Sequence, residues 1–251
     1  MEAARILKDK INSTAITTGV LATGHFWPGL VEIAMRSELD YMIIDLEHLE
    51  HDAEAVATAC SIGRLANFPV LIRPAAAEFT RMRLALDLGA CGLLVPYVES
   101  LTTMQEVQEA VYLKPRGRRR PGGPGNAWVK DYHYETWRTT VEDDLIILPQ
   151  IESRAGLDEV ENIAAHPLTT AIAVGPYDLS ADLGVCWDPT RPELQDALAR
   201  IRTAGKAAGK NMWMIGDGAA LVQAGYTFLC LGETTMALQS KLGEINSAAK
   251  A

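Results

Sequence analysis

Eight short apolar segments, separated by longer segments with helical spacing, recur along the chain. The predicted strands are residues 15–23, 41–47, 70–74, 92–98, 145–152, 170–175, 211–215 and 226–231. Most of them are continuous apolar runs, which are typical of parallel strands covered on both faces. Helical spacing is clearest in residues 52–66, 78–88, 100–112, 155–165 and 192–208, and three glycines are predicted to end helices, at positions 89, 209 and 225.

This alternation predicts an α/β fold, a closed (β/α)8 TIM barrel. The 251 residues divide into eight units of about 31 residues, the usual size of a strand–helix repeat. We therefore expect a single domain, residues 1–251. An open doubly wound sheet would need a dinucleotide or phosphate loop after its first strand, and residues 22–29 match neither motif.

The charge and cysteine content restrict the partners and the compartment. With 23 Lys+Arg against 32 Asp+Glu, the formal net charge is −9, which disfavours nucleic acid or an anionic membrane as a partner. The sequence has neither a visible signal peptide nor an apolar run of about 18 residues. The four cysteines form no CxxC pair, so we expect buried, inert thiols and a cytoplasmic location.

Polar residues follow several of the predicted strands, where a barrel carries its chemistry. Asp45, Glu47 and His48 follow the second strand, and Arg73 ends the third. Gln150 and Glu152 end the fifth strand, and Asp178 lies just after the sixth. Gln150 and Glu152 are two residues apart and so project to the same face. We expect these side chains to meet at one mouth of the barrel.

Two of these carboxylates, Glu152 and Asp178, are candidate ligands for a divalent cation. Carboxylate oxygens with open positions for water and substrate suit Mg²⁺ or Mn²⁺, and no HxxxH or HExxH spacing indicates a zinc site. The alternative for both residues is a structural ion pair. Asp217 and Glu233 also follow strands, but each precedes a helical stretch and is interpreted as a helix cap.

Arg73 and His48 supply the other groups that enolate chemistry needs. A guanidinium can hold an oxyanion or a carboxylate by two hydrogen bonds. A histidine fixed by a neighbouring carboxylate, here Asp45, can move a proton through water. The alternatives are an ion pair of Arg73 with Asp45 or Glu47, and a structural role for His48. Glu47 is also a candidate to hold a metal-bound water.

The motifs at these positions resemble those of the HpcH/HpaI aldolase family. They are DLEH at 45–48, RP at 73–74, LDLGACGLLVP at 86–96, QIES at 150–153 and GPYDLSADLG at 175–184. The resemblance implies a (β/α)8 barrel, assembled as a hexamer of swapped dimers, in which we expect the C-terminal helix to take part in oligomer contacts. It also implies a divalent metal ion, Mg²⁺, Mn²⁺ or Co²⁺, and reversible cleavage of 4-hydroxy-2-oxo acids to pyruvate or hydroxypyruvate and an aldehyde.

The same resemblance implies roles for individual residues. Glu152 and Asp178 match the metal ligands, and Arg73 matches the arginine that binds the keto-acid oxygen. His48, supported by Asp45, matches the group that handles the proton.

Four further positions also match the family pattern. Gln150 matches a residue beside the keto acid, and Gly175 and Pro176 match the turn that binds its carboxylate. Asp87 matches an acid that helps build the site of a neighbouring subunit.

One long connection, residues 113–143, carries the arginines 116, 118, 119 and 120. A loop of this length usually forms a lid or a binding segment, whereas the arginines themselves are expected to be solvated. An alternative function is a related carbon–carbon lyase acting on an acyl-CoA or citrate-like substrate, whose phosphates would need these arginines. A non-catalytic barrel with a binding loop is a further alternative. No lysine ends a strand in the manner of a Schiff-base aldolase.

Overall fold

The computed structural model describes residues 1–186 and 188–250 of the protein. Within them, eight parallel strands close into one barrel in chain order. The strands are β1 (Thr17–Ala22), β2 (Tyr41–Asp45), β3 (Val70–Arg73), β4 (Gly92–Val95), β5 (Ile146–Ile151), β6 (Ala171–Val174), β7 (Asn211–Ile215) and β8 (Phe228–Glu233). The predicted (β/α)8 barrel is therefore confirmed.

Helices connect the strands and surround the barrel. They are α1 (Glu2–Ile11), α2 (Leu30–Arg36), α3 (Ala53–Ala66), α4 (Phe79–Asp87), α5 (Leu101–Val111), α6 (Tyr134–Trp137), α7 (Arg154–Asp158), α8 (Val160–Ala165), α9 (Pro176–Asp182), α10 (Pro192–Ala207), α11 (Gly218–Gln223) and α12 (Thr234–Lys250). A 3-10 helix at Gly123–Trp128 and a π-helical turn at Arg138–Glu142 lie between α5 and β5. No helix among these is both long and apolar enough to cross a membrane.

Local sequence signals explain where the helices begin and end. Asp52, Ser100 and Asp217 each cap a helix by accepting a hydrogen bond from the backbone N–H three residues on. The cap interpretation of Glu233 is likewise confirmed, because its carboxylate accepts from Met236 N at 3.0 Å. The three glycines predicted to end helices, at 89, 209 and 225, all have positive φ. The predicted helix 155–165 is in fact two helices, α7 and α8.

The predicted strand 92–98 ends early, at Val95. Pro96 follows it and has no backbone N–H to donate to a neighbouring strand. Tyr97 then adopts a left-handed backbone conformation, with φ of 46°, and the chain leaves the sheet.

The thiols are as expected at three of four positions. Cys60, Cys91 and Cys230 are buried and unpaired, and burial raises the pKa of each. Cys186 differs, because it is exposed.

The long connection between α5 and β5 does not lie over the mouth, so its interpretation as a lid is wrong. It runs from the end of a helix to the start of a strand and therefore lies at the amino ends of the strands. There the backbone N–H of Gly122 and the guanidinium of Arg119 both donate to Asp87, at 3.2 Å each. The expectation of solvated arginines fails at Arg119, which is buried and lies over the ring of Trp137.

A hydrogen-bonded aromatic pair fills part of the barrel interior. Trp213 Nε1 donates to the hydroxyl of Tyr41 at 2.8 Å, and that hydroxyl donates to the carbonyl of Leu229 at 2.7 Å. Gly19 on β1 faces Tyr41, and a Cβ at Gly19 would overlap the tyrosine ring. Three strands are thus joined across the core by one phenol.

The Tyr41→Phe variant tests this core contact. Without the hydroxyl, the indole N–H of Trp213 loses its acceptor in a buried setting, which typically costs about 1–3 kcal/mol. We expect the free energy of unfolding, measured in urea, to fall by about that amount. Tyr132→Phe is the matched control, since Tyr132 is 83% exposed. Equal stability of both variants and the unmodified protein would contradict this account of the core.

Candidate active site

Asp45 and Arg73 form a buried ion pair at the carboxyl ends of β2 and β3. The two residues are register partners on adjacent strands, which brings their side chains together. Arg73 Nε donates to Asp45 Oδ1 at 2.8 Å and Nη2 donates to Oδ2 at 2.7 Å. Burial favours the neutral acid, but the hydrogen bonds and charge of Arg73 outweigh it, so the pKa of Asp45 lies below its usual value.

The structure departs from the expected pairing of Asp45 with His48. The carboxylate of Asp45 also accepts from Thr23 Oγ1 at 2.7 Å and from the backbone N–H of Glu47 at 3.0 Å. None of the hydrogen bonds found in residues 1–186 and 188–250 joins Asp45 to His48, which lies exposed in the bend after β2. Asp45 contacts Arg73 because the β2–β3 register places the two residues side by side, whereas His48 lies beyond the end of β2.

Glu47 is the second carboxylate beside Arg73. Its Oε2 lies 3.0 Å from Arg73 Nη1. This oxygen is buried and accepts no well-aligned hydrogen bond from the part of the chain that is described. Burial raises the pKa of Glu47, against the opposing charges of Arg73 and His48. The alternative of an ion pair for Arg73 is thus present with both Asp45 and Glu47.

Gln150 and Glu152 lie together at the end of β5, as their spacing predicts. Gln150 Nε2 donates to Glu152 Oε1 at 2.6 Å, and the backbone N–H of Tyr97 donates to Glu152 Oε2 at 3.0 Å. Both side chains are almost completely buried. The pKa of Glu152 is raised to about 8, chiefly by burial; the charges of Glu47 and Asp178 contribute to the rise, and the Tyr97 hydrogen bond and the charge of Arg73 oppose it.

The turn after β6 carries the remaining candidates. Gly175 follows β6, Pro176 begins α9, and Asp178 lies exposed in the first turn of that helix. The β5–β6 register pairs Ile151 with Val174, which sets Glu152 beside Gly175. A Cβ at Gly175 would overlap the Glu152 carboxylate, so this position needs glycine.

The charge of this mouth is unbalanced in a way that suits a divalent cation. Three carboxylates, those of Asp45, Glu47 and Glu152, act on the guanidinium of Arg73. The charge of a fourth, Asp178, acts on Glu47 and Glu152. Gln150 Oε1 is also buried without a hydrogen-bond partner among the described residues. Within those residues no three His, Cys, Asp or Glu side chains converge to hold an ion alone. A two-carboxylate site completed by water and substrate oxygens fits this arrangement.

The Gly175→Ala variant tests the close approach of Gly175 to Glu152. The added methyl group must displace the carboxylate, and a displacement of about 1 Å in an active site can cost about 10²-fold in rate. We expect a loss of that order in kcat/KM for the reaction catalysed at this site. Gly243→Ala is the control, because a Cβ there meets no atom within 4 Å. Unchanged kinetics for Gly175→Ala would contradict the role of this turn.

Asp87 does not join the other candidates. It ends α4 at the amino ends of the strands, where Arg83, Arg119 and the Gly122 N–H contact its carboxylate. The arginines that the acyl-CoA alternative needs are at the same end. Arg116 pairs with Glu142 and Asp143.

Two residues that contact the site at the mouth were not predicted from the sequence. Thr23, just after β1, donates to Asp45, and Tyr97, after β4, donates to Glu152. Thr23 was the last residue of the predicted strand 15–23 and Tyr97 lay inside the predicted strand 92–98, so neither was recognised as following a strand.

Comparison with known proteins identifies the family. The profile of the HpcH/HpaI aldolase/citrate lyase family matches residues 23–240. A hydroxypyruvate/pyruvate aldolase from Roseovarius nubinhibens is 32% identical over 208 residues, covering 78% of this chain and 79% of that protein. A 2-keto-3-deoxy-L-rhamnonate aldolase from Shigella boydii is 34% identical over 191 residues, covering 72% and 69%.

Among solved structures, an HpcH/HpaI aldolase from Desulfitobacterium hafniense superimposes with a TM-score of 0.88. It is 26% identical, and the superposition covers 98% of this chain and 96% of that one. Fold, strand-end motifs and sequence relatives agree. The chain belongs to the HpcH/HpaI aldolase/citrate lyase family.

Proposed function

We propose that this protein is a divalent-metal-dependent class II aldolase. It reversibly cleaves 4-hydroxy-2-oxo acids to pyruvate, or hydroxypyruvate, and an aldehyde. The observation that carries the proposal is the cluster of Glu152, Asp178 and Arg73 at one mouth, with negative charge in excess. Relatives named as hydroxypyruvate/pyruvate and 2-keto-3-deoxy-L-rhamnonate aldolases support the reaction class.

Glu152 and Asp178 would hold the metal ion. Mg²⁺, Mn²⁺ and Co²⁺ are the candidates, because the ligands are carboxylate oxygens. When bound, the ion supplies polarisation of the keto and carboxylate oxygens of the substrate. Gln150 orients Glu152 through its 2.6 Å hydrogen bond and lies beside the keto acid.

Arg73 binds the keto oxygen and stabilises the negative charge that develops there. Its guanidinium is fixed by Asp45 on one side and by Glu47 on another. The Nη atoms carry further N–H donors that can face the substrate. A donor already held in place needs no reorganisation as charge develops, which is what makes such groups effective.

His48 moves the proton, through water. In the cleavage direction the 4-hydroxyl loses its proton, the C4 carbonyl forms and the C3–C4 bond breaks. The bonding electron pair passes to the enolate, which takes a proton at C3 to become the 2-oxo acid product. Since Asp45 is occupied by Arg73, Glu47 is the carboxylate whose charge interacts with His48. The turn at Gly175 and Pro176 is assigned to the substrate carboxylate. The N–H of Gly175 already donates to the carbonyl of Ile151 at 3.2 Å and proline has none, so the donors would be the backbone N–H groups that follow in α9.

A panel of aldehydes, each supplied with pyruvate or hydroxypyruvate and with Mn²⁺ or Mg²⁺, tests this function. We expect 4-hydroxy-2-oxo acids as products, and the panel also defines the donor and the acceptor. The His48→Ala variant should lower the rate by about 10²-fold or more, the usual contribution of a general acid–base group. Turnover of an acyl-CoA or citrate-like substrate without any aldol activity would contradict the proposal.

We also propose that the working form is a homo-oligomer, a hexamer as the family resemblance implies. None of the side chains of α12 is buried within one subunit. Leu238, Leu242 and Ile245 form an exposed apolar stripe along this helix. A cavity of ≈ 790 Å³ between α10 and α11 offers apolar lining, including Leu194 and Leu198, for such a helix from a second copy. In this assembly Asp87 would complete the site of the neighbouring subunit.

Sedimentation tests the assembly. Leu242→Glu places a charge on the apolar stripe and is expected to dissociate the oligomer, with loss of activity. Ser240→Glu, on the other side of α12, is the control. A monomeric, fully active unmodified protein would contradict the proposal.

The cytoplasm is the compartment we propose. The support is the state of the cysteines at positions 60, 91 and 230, which are buried, unpaired thiols that a reducing compartment preserves.

A further inference from the structure

The first residues of the loop after β1 are attached to the start of α12. The backbone N–H groups of Thr23 and Gly24 donate to Glu233 Oε1, at 3.4 and 3.0 Å. The N–H of His25 donates to Thr235 Oγ1 at 3.1 Å. Gly24 and His25 are exposed, so water could bind their N–H groups equally well. The attachment is therefore a specific contact, which burial alone does not require.

The two segments also approach each other closely at Gly24. A Cβ at this position would lie 2.5 Å from Thr235 Oγ1, closer than non-bonded atoms approach. Glycine is the residue that permits such an approach of the backbone to another group. Sterics and hydrogen bonds thus agree in placing the loop against the residues that begin α12.

The role of Glu233 as a helix cap accounts for only one of its two carboxylate oxygens. Oε2 accepts from the backbone N–H of Met236, in the first turn of α12. Oε1 accepts instead from the N–H of Gly24 and from Thr234 Oγ1, at 3.0 and 3.2 Å. Glu233 ends β8, where it is the register partner of Leu21 on β1. The loop is thus bound to a residue whose position the barrel fixes.

Thr23 connects this attachment to the candidate active site. Its hydroxyl donates to Asp45 Oδ2 at 2.7 Å, the oxygen that also accepts from Arg73 Nη2 at 2.7 Å. The backbone of Thr23 is bound by Glu233, and its side chain binds Asp45. A shift of Thr23 would therefore change the direction of the Asp45 carboxylate, and with it the position of the guanidinium paired to it.

We propose that Glu233 is a positioning residue, assisted by Thr235. It fixes the loop after β1 so that Thr23 holds Asp45, and Asp45 holds Arg73, where the guanidinium meets the keto oxygen. This inference rests on the proposed function, in which Arg73 binds that oxygen. Glu233 acts without touching the substrate, because a displacement of about 1 Å in a reacting group can cost about 10²-fold in rate.

The Glu233→Ala variant tests the attachment and its consequence separately. It removes the acceptor of the loop, so we expect faster hydrogen exchange at the amides of Thr23 and Gly24, measured by NMR. It should also lower kcat/KM for aldol cleavage about tenfold, a part of the loss that a displacement of about 1 Å causes. Glu244→Ala is the matched control, since Glu244 lies on the surface of α12 and pairs with Lys241. It should keep both the exchange rates and the kinetics.

A pair of variants at Thr235 guards against a folding defect, because Glu233 also caps α12. Thr235→Val removes only the acceptor of the His25 N–H, and Thr235→Ser keeps it. We expect the valine variant to exchange the His25 amide faster and to have a lower kcat/KM, and the serine variant to behave as the unmodified protein does. A role in packing alone predicts the opposite order, since valine keeps the volume of threonine and serine does not.

Thr23→Val and the double variant Thr23→Val/Glu233→Ala decide whether the effect passes through Thr23. Two changes that act along one route do not add, so the double variant should lose no more activity than Thr23→Val alone. Unchanged exchange or unchanged kcat/KM in Glu233→Ala, or losses that multiply in the double variant, would overturn the positioning role and leave the proposed function standing. An unmodified protein without aldol activity with either pyruvate or hydroxypyruvate would overturn both.

Discussion

Replacing Glu152 by glutamine is expected to lower the rate of aldol cleavage by about 10³-fold. The substitution keeps the size of the side chain and removes the negative charge on which the metal site depends. Metal ions contribute several kcal/mol of charge stabilisation in such reactions, and each 1.36 kcal/mol corresponds to about tenfold in rate. Affinity for Mn²⁺ should fall in parallel.

The stability of the same variant separates a ligand role from a structural one. Burial raises the pKa of Glu152 to about 8, so the metal-free protein gains little from the charged form. The unfolding free energy of metal-free Glu152→Gln should therefore be close to that of the unmodified protein. Glu54→Gln, at an exposed position on α3, is the matched control. Full Mn²⁺ affinity in Glu152→Gln would refute its assignment as a ligand.

Replacing Arg73 by methionine is expected to damage both stability and activity. Asp45 is completely buried, and Arg73 supplies two of its hydrogen bonds and its counter-charge. Removing one partner of a buried ion pair typically costs about 3–5 kcal/mol, because the other charge is left uncompensated. Urea unfolding should show a loss of this size, and cleavage activity should fall with it.

The double variant Arg73→Met/Asp45→Asn distinguishes the two effects. It removes both charges, so most of the lost stability should return. Activity should not return, because the group that binds the keto oxygen is still missing. Recovery of normal KM and kcat in the double variant would show that Arg73 serves only the fold.

The barrel was predictable because its strands are apolar on both faces. Each predicted strand overlaps an observed one, and the disagreements fall at the ends, as at Val95, where the chain leaves the sheet. The division of one predicted helix into α7 and α8 could not be read from the sequence, since the apolar spacing continues through Glu159. The place of the loop at 113–143 was derivable, because a helix-to-strand connection must lie at the amino ends.

The contacts within the site were predictable only where strand register or spacing along a strand determines which side chains meet. Register places Arg73 against Asp45 and Glu152 beside Gly175, and the spacing of Gln150 and Glu152 predicts their contact. The ion pair of Asp45 with Arg73 was one of the alternatives that the sequence left open. The support of His48 by Asp45 stays a prediction, since no hydrogen bond among the described residues joins the two side chains.

The backbone conformation of the residues that follow a strand could not be predicted from the sequence. Tyr97 contacts Glu152 only because its φ is positive, and no residue type other than glycine signals that conformation reliably.

Removal and return of the metal ion tests the central claim most directly. The protein is treated with a chelator, assayed for release of pyruvate from a 4-hydroxy-2-oxo acid, and assayed again after addition of Mn²⁺ or Mg²⁺. We predict that the chelator abolishes cleavage, that either ion restores it, and that borohydride with pyruvate has no effect. Activity that survives the chelator and is lost on borohydride treatment would indicate a Schiff base and contradict the account.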